Sequence, residues 1–369
     1  MGRNYRHIAE SLGSHIDWVA TITLLCIGSF GLFLLLTINQ AFFVQQVVFL
    51  IVGIMLLVGA SLLHPAILWW LAPLGYVGSL IFLVITYLGP NVRGSHRWIV
   101  VAGQQLQPSE FVKPLLLLFF TWAITRFPPR QLKYIPLHIV LFLVPFLLVL
   151  KQPDLGTSVV YASFWLAMML AGGLSLPLVI VCAVVFVFAL PGVWNLLAPY
   201  QRDRITTFLS PGHDPAGAGY NALQAMIAVG SGQLFGRGLG RGTQSHLRFL
   251  PEHHTDFIFA TLVEELGFVG GTLLIAGYAY LLWRVIRPLV RGSLTDAYPY
   301  IFTIGLFAMI LTQIFINTGM NMGIIPITGI TLPFVSYGGS SVLSLCLSFG
   351  LLWAIRGNEQ GQALKYPKA

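Results

Sequence analysis

Residues 250–267 read Leu-Pro-Glu-His-His-Thr-Asp-Phe-Ile-Phe-Ala-Thr-Leu-Val-Glu-Glu-Leu-Gly, a dense polar cluster followed directly by a long apolar segment. The cluster holds Glu252, two histidines and Asp256, and two further acids, Glu264 and Glu265, lie inside the apolar segment. A charged group at membrane depth is costly, so a carboxylate within an apolar span usually serves a function. The stretch therefore predicts a site at the mouth of a membrane helix.

The rest of the chain is strongly apolar. Of its 369 residues, 56% are hydrophobic and 9% are charged, whereas a soluble domain carries about 25% charged residues. Apolar runs of about 20 residues, the length of a membrane-spanning helix, recur along the chain. We therefore expect an all-α, polytopic integral membrane protein that forms a single domain over residues 1–369. We attribute the net charge of +8 to the topology of a membrane protein and to attraction for anionic lipids. We expect no nucleic-acid partner.

The apolar runs predict about ten transmembrane helices. They lie near residues 18–38, 44–63, 66–88, 109–126, 136–150, 157–173, 175–194, 256–283, 298–318 and 331–355. An even number of spans places both termini on one side, and the distribution of Lys and Arg in the short loops makes that side cytoplasmic. Residues 195–255, between spans seven and eight, then form a large extracytoplasmic loop. We expect an ordered loop with a short interfacial helix at residues 222–229.

Two charged motifs on the predicted outer face have both a structural and a functional interpretation. Asp154, in Gln152-Pro-Asp-Leu-Gly156, either caps the sixth span or contributes to a site, since Asp is a common helix cap. Glu110 and Lys113 are three residues apart and therefore share a helix face. They form either a neutralised pair that tolerates burial or part of a cavity lining.

The segment Gly230–Thr243 is dense in glycine and carries Arg237 and Arg241. Its backbone N–H groups and arginines would suit a phosphate, although a flexible loop is the alternative. Arg202 and Arg204 add two more cations on the outer side. Residues 326–341 contain Pro and Gly at membrane depth, which predicts a re-entrant, non-helical segment on the outer wall of the site.

Taken in order, eight pieces of the chain resemble the SEDS (shape, elongation, division and sporulation) family of RodA, FtsW and SpoVE proteins. They are Gln107-Pro-Ser-Glu110, Gln152-Pro-Asp-Leu-Gly156, Tyr200-Gln-Arg-Asp-Arg204, Gly217-Ala-Gly-Tyr220, Gly242-Thr-Gln-Ser245, residues 250–260, Glu264-Glu-Leu-Gly267 and Ser336-Tyr-Gly-Gly-Ser340. The second and third pieces are most similar to the RodA branch.

The resemblance implies a peptidoglycan glycosyltransferase of the bacterial inner membrane that polymerises lipid II during cell elongation. It implies partnership with a class B penicillin-binding protein and other elongation-machinery proteins, release of undecaprenyl pyrophosphate, and a divalent cation (Mg²⁺ or Mn²⁺) whose site the sequence does not assign. Asp256 matches the essential aspartate of the family and is the candidate catalytic base, with an N-cap as the structural alternative. The expected substrate-binding residues are Glu110, Lys113, Asp154, Arg202, Arg204, Arg237, Arg241, Gln244, Ser245 and Ser336.

Two other classes of function remain open from the sequence. A transporter that flips lipid II would need polar groups through the whole depth of its spans, whereas here the polar residues gather near the predicted outer face. A non-catalytic scaffold that activates a penicillin-binding protein would make no polymer when purified alone.

Overall fold

The computed structural model describes residues 16–89, 97–101, 104–196, 202, 206–208, 219–247, 249–294 and 296–357. This part of the chain is almost entirely helical, as predicted. The helices are α1 (Trp18–Ile38), α2 (Gln40–Ser61), α3 (Pro65–Ile85), α4 (Pro108–Arg126), α5 (Ile135–Lys151), α6 (Leu155–Ala171), α7 (Leu176–Leu196), α8 (Tyr220–Ser231), α9 (Thr243–His246), α10 (Ile258–Val290), α11 (Ala297–Asn321) and α12 (Gly339–Gly357). Short 3₁₀ turns cover Thr86–Leu88 and Leu132–Tyr134, and an antiparallel hairpin, β1 (Ile99–Val101) with β2 (Gln104–Leu106), precedes α4.

Each of the ten predicted apolar runs overlaps a helix in the described residues. Seven of these helices are long and apolar enough to cross a membrane, and α6 and the start of α7 are shorter apolar segments. Helix α4 has 19 residues and carries Glu110, Lys113 and Arg126. The chain is therefore a multi-pass membrane protein, while the number of helices that cross the bilayer stays a prediction.

Close packing of α12 against α2 forms one side of the bundle core. A Cβ on Gly350 would lie 2.5 Å from the Leu57 carbonyl oxygen, and a Cβ on Gly53 would lie 2.8 Å from Cys346 Sγ. Small residues let membrane helices approach this closely, because van der Waals packing replaces the hydrophobic driving force in lipid. Helix α12 also packs on α4 and α11, and α11 packs on α6 and α10.

The tenth predicted span begins too early in the sequence. The apolar run starts at residue 331, but α12 begins at Gly339, and residues 322–338 have no helix. Pro333 and the glycine pair at 338–339 oppose helix formation, and Phe334 has a φ of 64°. Residues 332–336 are nonetheless buried in protein, where non-helical structure is tolerated at membrane depth. This agrees with the non-helical segment predicted for residues 326–341.

Helix α10 is interrupted at Gly267, which has φ 69° and ψ −169°. The turn at residues 232–238 supplies partners to the interrupted backbone. Phe268 N–H donates to the Gln233 carbonyl at 2.8 Å, and Gly238 N–H donates to the Glu265 carbonyl at 3.0 Å. The helix break is therefore bonded to the turn, as a membrane environment requires of exposed backbone groups.

The predicted short helix of the 195–255 segment is present as α8. It buries Ala225 and Ala228 in a small cluster with Leu250, Phe257 and Ala260. Helix α8 thereby packs against the start of α10 and supports the polar stretch from which the site is built.

Candidate active site

A cavity of about 830 Å³ opens at the end of the bundle where α2, α4 and α12 begin. Segments far apart in sequence line it: the start of α2, the hairpin before α4, residues 252–257, residues 327–331 and the start of α12. Its polar or charged lining residues include Gln45, Arg97, Gln107, Glu110, Asn221, Glu252, His254, Thr255, Asp256, Thr331, Tyr337, Ser340 and Ser341. The cavity combines acids, a cation and neutral hydrogen-bonding groups, which suits a polar substrate.

The main chain of residues 253–256 is fixed by a hydrogen bond to each of its carbonyl groups. Thr261 Oγ1 donates to the carbonyl of residue 253 at 3.3 Å. The backbone N–H of residue 337 donates to the carbonyl of residue 254 at 2.9 Å. Ser336 Oγ donates to the carbonyl of residue 255 at 2.7 Å. Two asparagine amides donate to the carbonyl of Asp256, at 2.9 and 3.1 Å. Contacts from other elements therefore hold the turn that carries Asp256.

Asp256 lines the cavity and is not the N-cap residue of α10. The helix begins at Ile258 with Phe257 in the cap position. The N–H group of Ala260, in the first turn, donates to Asn321 Oδ1 at 3.1 Å. The Asp256 carboxylate lies against the backbone at Gly329, where an added Cβ would be 3.4 Å from Oδ2. Asp256 is therefore not the cap of α10, and its catalytic role stays a prediction.

Glu110 and Lys113 form a buried ion pair at the start of α4. Lys113 Nζ lies 2.5 Å from Glu110 Oε1, and the two residues are 1% and 5% exposed. Ser344 on α12 donates to the Glu110 carbonyl at 2.7 Å. Glu110 lines the cavity, whereas Lys113 is connected to it through Glu110. Both predicted interpretations apply, because the pair is neutralised and one of its members borders the cavity.

Asp154 is the N-cap of α6. Its Oδ1 accepts the Thr157 N–H at 3.1 Å, and its Oδ2 accepts Gln107 Nε2 at 2.9 Å and Ser109 Oγ at 3.3 Å. The side chain is buried, and Gln107 rather than Asp154 lines the cavity. Asp154 therefore positions a lining residue, and the structure does not bring it to the cavity itself.

Of the arginines that the structure describes, Arg97 lines the cavity, and it was not predicted as a site residue. Its Nε donates to the Gln152 carbonyl at 2.9 Å and its Nη2 to the Pro153 carbonyl at 2.5 Å. Arg237 and Arg241 are exposed on the glycine-rich segment, and Arg202 is half-buried away from the lining. Arg204 lies outside the described residues.

The glycine-rich segment binds carboxylates of its own chain. Glu264 is buried, and its two oxygens accept hydrogen bonds from Gln244 N–H at 2.8 Å and from Ser245 Oγ at 3.1 Å. Glu265 Oε2 accepts the Gly240 N–H at 3.0 Å. The Gly240 amide, in the segment predicted to meet a phosphate, thus meets an acid of α10. Gln244 and Ser245 hold the segment against α10 instead of lining the cavity.

Ser336 also has a structural role. It is buried, accepts the Leu332 N–H at 2.7 Å and donates to the carbonyl of Thr255. The next residue, Tyr337, lines the cavity and donates its hydroxyl to Gln45 Oε1.

Several lining residues gave no signal in the sequence. Gln45 lies within an apolar run, and Phe42 stacks on His254 with ring centroids 4.7 Å apart. Arg97 carried one available signal, since it lies shortly before the Gln107–Glu110 motif. Packing between helices that are distant in the sequence brings these residues to the cavity. No local sequence pattern encodes that packing.

No three His, Cys, Asp or Glu side chains among the described residues are grouped so that they could hold a metal ion. The carboxylates that line the cavity are Glu110, Glu252 and Asp256. The described residues therefore assign no site to the expected divalent cation, and the cation stays a prediction.

Comparison with known proteins agrees with this architecture. The family model described as a cell cycle protein, for FtsW, RodA and SpoVE, matches residues 15–361. Peptidoglycan glycosyltransferase MrdB of Escherichia coli strain K12 is 39% identical over 311 residues, which cover 84% of this chain and 84% of MrdB.

Two solved structures resemble the whole fold. A chain from a peptidoglycan synthase complex that coordinates polymerization and crosslinking has a TM-score of 0.82 and 28% identity, with coverage of 94% of this chain and 99% of that chain. The rod shape determining protein RodA of Thermus thermophilus has a TM-score of 0.71 and 27% identity, with coverage of 94% and 98%. The family match, the relative and the two folds agree, and the chain therefore belongs to the SEDS family of FtsW, RodA and SpoVE proteins.

Proposed function

We propose that this protein is a peptidoglycan glycosyltransferase that polymerises lipid II at the outer face of the bacterial inner membrane during cell elongation. The observation that carries the proposal is Asp256 in a polar cavity, on a turn whose carbonyl groups are held by neighbouring elements. The names of relatives such as MrdB support the same activity.

The proposed reaction joins the 4-hydroxyl of one GlcNAc to the anomeric carbon of a MurNAc. Asp256 accepts the proton of the attacking hydroxyl as general base. The oxygen attacks from the face opposite the pyrophosphate, so the bond from the anomeric carbon to the phosphate oxygen breaks with inversion and undecaprenyl pyrophosphate leaves. The hydrogen-bonded turn keeps the carboxylate in position, which favours a near-attack geometry.

Arg97 is our candidate for offsetting the negative charge that develops on the leaving pyrophosphate. It lines the same cavity as Asp256, and the two carbonyls that it contacts restrict its side chain. Positioned cations of this kind stabilise leaving-group charge in phosphoryl chemistry and related reactions. Arg202, Arg237 and Arg241 lie away from this lining, which makes them weaker candidates than the sequence suggested.

We further propose that the chain works with a class B penicillin-binding protein. The support is its similarity to a chain of a peptidoglycan synthase complex that coordinates polymerization and crosslinking. A requirement for Mg²⁺ or Mn²⁺ rests on the family resemblance alone, and polymer yield with and without a chelator tests it.

The test is polymer formation from lipid II by the purified protein, with and without its partner, compared with the variant Asp256→Asn. Asn keeps the shape of the side chain but cannot accept the proton. We expect polymer from the parent protein and a loss of about 10²–10⁴-fold in the variant, the usual contribution of a general base. Lipid II binding and elution on size exclusion should remain normal.

The other outcomes point to the competing functions. A parent protein that never makes polymer, even with its partner, would favour a flippase or a scaffold. Polymerisation by Asp256→Asn within a few-fold of the parent would move the base elsewhere, with Glu252 as the next lining carboxylate to test.

A further inference from the structure

Two asparagines on α11 bind the main chain of Asp256 with their side-chain amides. Asn317 and Asn321 are one helical turn apart on one face, and each is 0% exposed. Asn317 Nδ2 lies 2.9 Å from the Asp256 carbonyl oxygen, and Asn321 Nδ2 lies 3.1 Å from the same atom. Neither residue belongs to the predicted site or to the cavity lining.

Asn317 also joins the two opposite walls of the cavity. Its Nδ2 donates to the Ile330 carbonyl at 2.7 Å as well as to Asp256. Ile330 lies between Gly329 and Thr331, which both line the cavity, and Gly329 faces the Asp256 carboxylate. A single buried amide therefore sets the spacing between the turn that carries Asp256 and the wall that faces its side chain.

Asn321 connects the same turn to the start of α10. Its Nδ2 donates to the Asn317 carbonyl at 2.7 Å, and its Oδ1 accepts the Ala260 N–H at 3.1 Å. This pattern defines which end of the amide is oxygen, since the oxygen must face the Ala260 N–H. Both ends of the turn, Asp256 and Ala260, are thus bonded to one helix.

A carboxamide is suited to this place because it offers two donor hydrogens and an acceptor at once. Apolar side chains at both positions would leave the Asp256 and Ile330 carbonyls and the Ala260 N–H without these buried partners, which is unfavourable. This requirement explains an asparagine pair within a mostly apolar helix. Asp256 and Glu252 are the charged lining residues next to this turn, and the neutral side chains of Asn317 and Asn321 add no charge there.

We propose that Asn317 and Asn321 are positioning residues that hold Asp256 in its reactive geometry. The proposal rests on the proposed function, because it assumes that Asp256 is the base. Binding of lipid II depends on the whole cavity, whereas proton transfer depends on the position of one carboxylate. Loss of either amide should therefore lower the turnover rate much more than it weakens substrate binding.

The experiment measures initial rates of polymerisation against lipid II concentration for Asn317→Ala and Asn321→Ala in the full-length protein. Gln313→Ala is the matched control. Gln313 lies one turn before Asn317 on the same face, is 0% exposed, and has no hydrogen-bond partner for its amide within the described residues. Protein is quantified after size exclusion so that rates refer to folded molecules.

We expect each asparagine variant to lower kcat by about 10–100-fold, the scale that a misplacement of about 1 Å produces. KM and lipid II binding should change by less than about 3-fold, which is the signature of an interaction needed in the transition state. Gln313→Ala should keep a kcat within about 3-fold of the parent. If one asparagine variant does not elute as folded protein, the other decides the question.

Two results would overturn the positioning role. One is a kcat of Asn317→Ala and Asn321→Ala within about 3-fold of the parent, and the other is an equal loss in Gln313→Ala. Asp256→Asn in the same assay separates this failure from failure of the proposed function. If that variant is inactive while the asparagine variants are unimpaired, Asp256 remains the base and only the positioning role is wrong. If Asp256→Asn is active, both proposals fail together.

Discussion

Arg97 occupies the place in the cavity that the sequence assigned to other arginines. We expect Arg97→Ala to lower kcat by about 10²-fold or more, the scale seen when a donor to developing charge is removed. Arg97→Lys should recover part of this loss, because it keeps the charge but cannot bridge the Gln152 and Pro153 carbonyls. The measurement is the initial rate of polymer formation at saturating lipid II.

Arg241→Ala is the comparison for Arg97. Its side chain is exposed on the glycine-rich segment, so a smaller loss is expected than for Arg97→Ala. An equal loss in both variants would indicate that the pyrophosphate also contacts the glycine-rich segment.

The buried Glu110–Lys113 pair leads to a second prediction for single residues. Either change to Ala should abolish activity, since an unpaired buried charge costs about 3–5 kcal/mol. The exchanged variant, Glu110→Lys with Lys113→Glu, restores the pair. Glu110 Oε2 is buried without a hydrogen-bond partner in the described residues, and Glu110 borders the cavity, so we expect the exchanged protein to fold but stay inactive. Full activity after the exchange would mean that the pair is only structural.

At the scale of elements, the break in α10 separates two functions of one helix. At about 1.5 Å per residue, the part after Gly267 is about 35 Å long, enough to cross a hydrocarbon core of about 30 Å by itself. The part before Gly267 carries the two acids that hold the glycine-rich segment. The break at Gly267 therefore separates the part of the helix that follows the Asp256 turn from the part long enough to cross the membrane.

Gly267 is required by this geometry. Its φ and ψ are accessible almost only to glycine, and an added Cβ would lie 2.3 Å from Gly236 N and 2.4 Å from the Leu234 carbonyl oxygen. We expect Gly267→Ala to lower the free energy of unfolding by more than about 3 kcal/mol, measured as a lower melting temperature in detergent. Gly277→Ala on the same helix is the control, because its Cβ would meet only the Ile27 side chain at 3.4 Å. Equal melting temperatures for the two variants would contradict a strained requirement for glycine at position 267.

At the scale of the whole molecule, contacts between helix ends define two opposite faces. Arg284, near the end of α10, lies 2.6 Å from Asp17, which precedes α1. The Arg356 guanidinium, at the end of α12, donates to the Val285 carbonyl. The start of α1 and the ends of α10 and α12 therefore share one face, and the cavity opens at the opposite end of the bundle.

This arrangement supports a prediction about topology. The concentration of Lys and Arg in the short loops of the α1 face indicates that this face is cytoplasmic. A reporter fused after Ala369 should therefore be active in the cytoplasm, and one inserted near Gly212 should be active outside. A cytoplasmic signal from the Gly212 insertion would invert the topology and move the cavity to the inner side of the membrane.

The sequence by itself determined the helices, the family and the position of the candidate base. An apolar run of membrane-spanning length has few alternatives to the α-helix in lipid, because backbone N–H and C=O groups without hydrogen-bond partners are too costly there. Asp256 and Glu252 are close in the chain, so their joint presence at the cavity needed no long-range information. The run at residues 331–355 failed as a helix prediction at its start, because hydropathy does not register the backbone preferences of Pro333 and the following glycines.

Tertiary structure alone decided what each polar side chain contacts. Asp154, Glu264 and Ser336 are all polar groups in or near apolar segments, and the sequence suggested a substrate role for Asp154 and Ser336. In the fold these three side chains bind N–H and O–H groups of the chain itself. Arg97, by contrast, lines the cavity. Asn317, which is 61 residues from Asp256 in the sequence, binds the Asp256 carbonyl. Composition and periodicity fix which residues are buried, but hydrogen-bond partners depend on helix rotation and on contacts between distant segments. Only the packed bundle specifies those contacts, because a buried polar group is stable wherever a partner lies within reach.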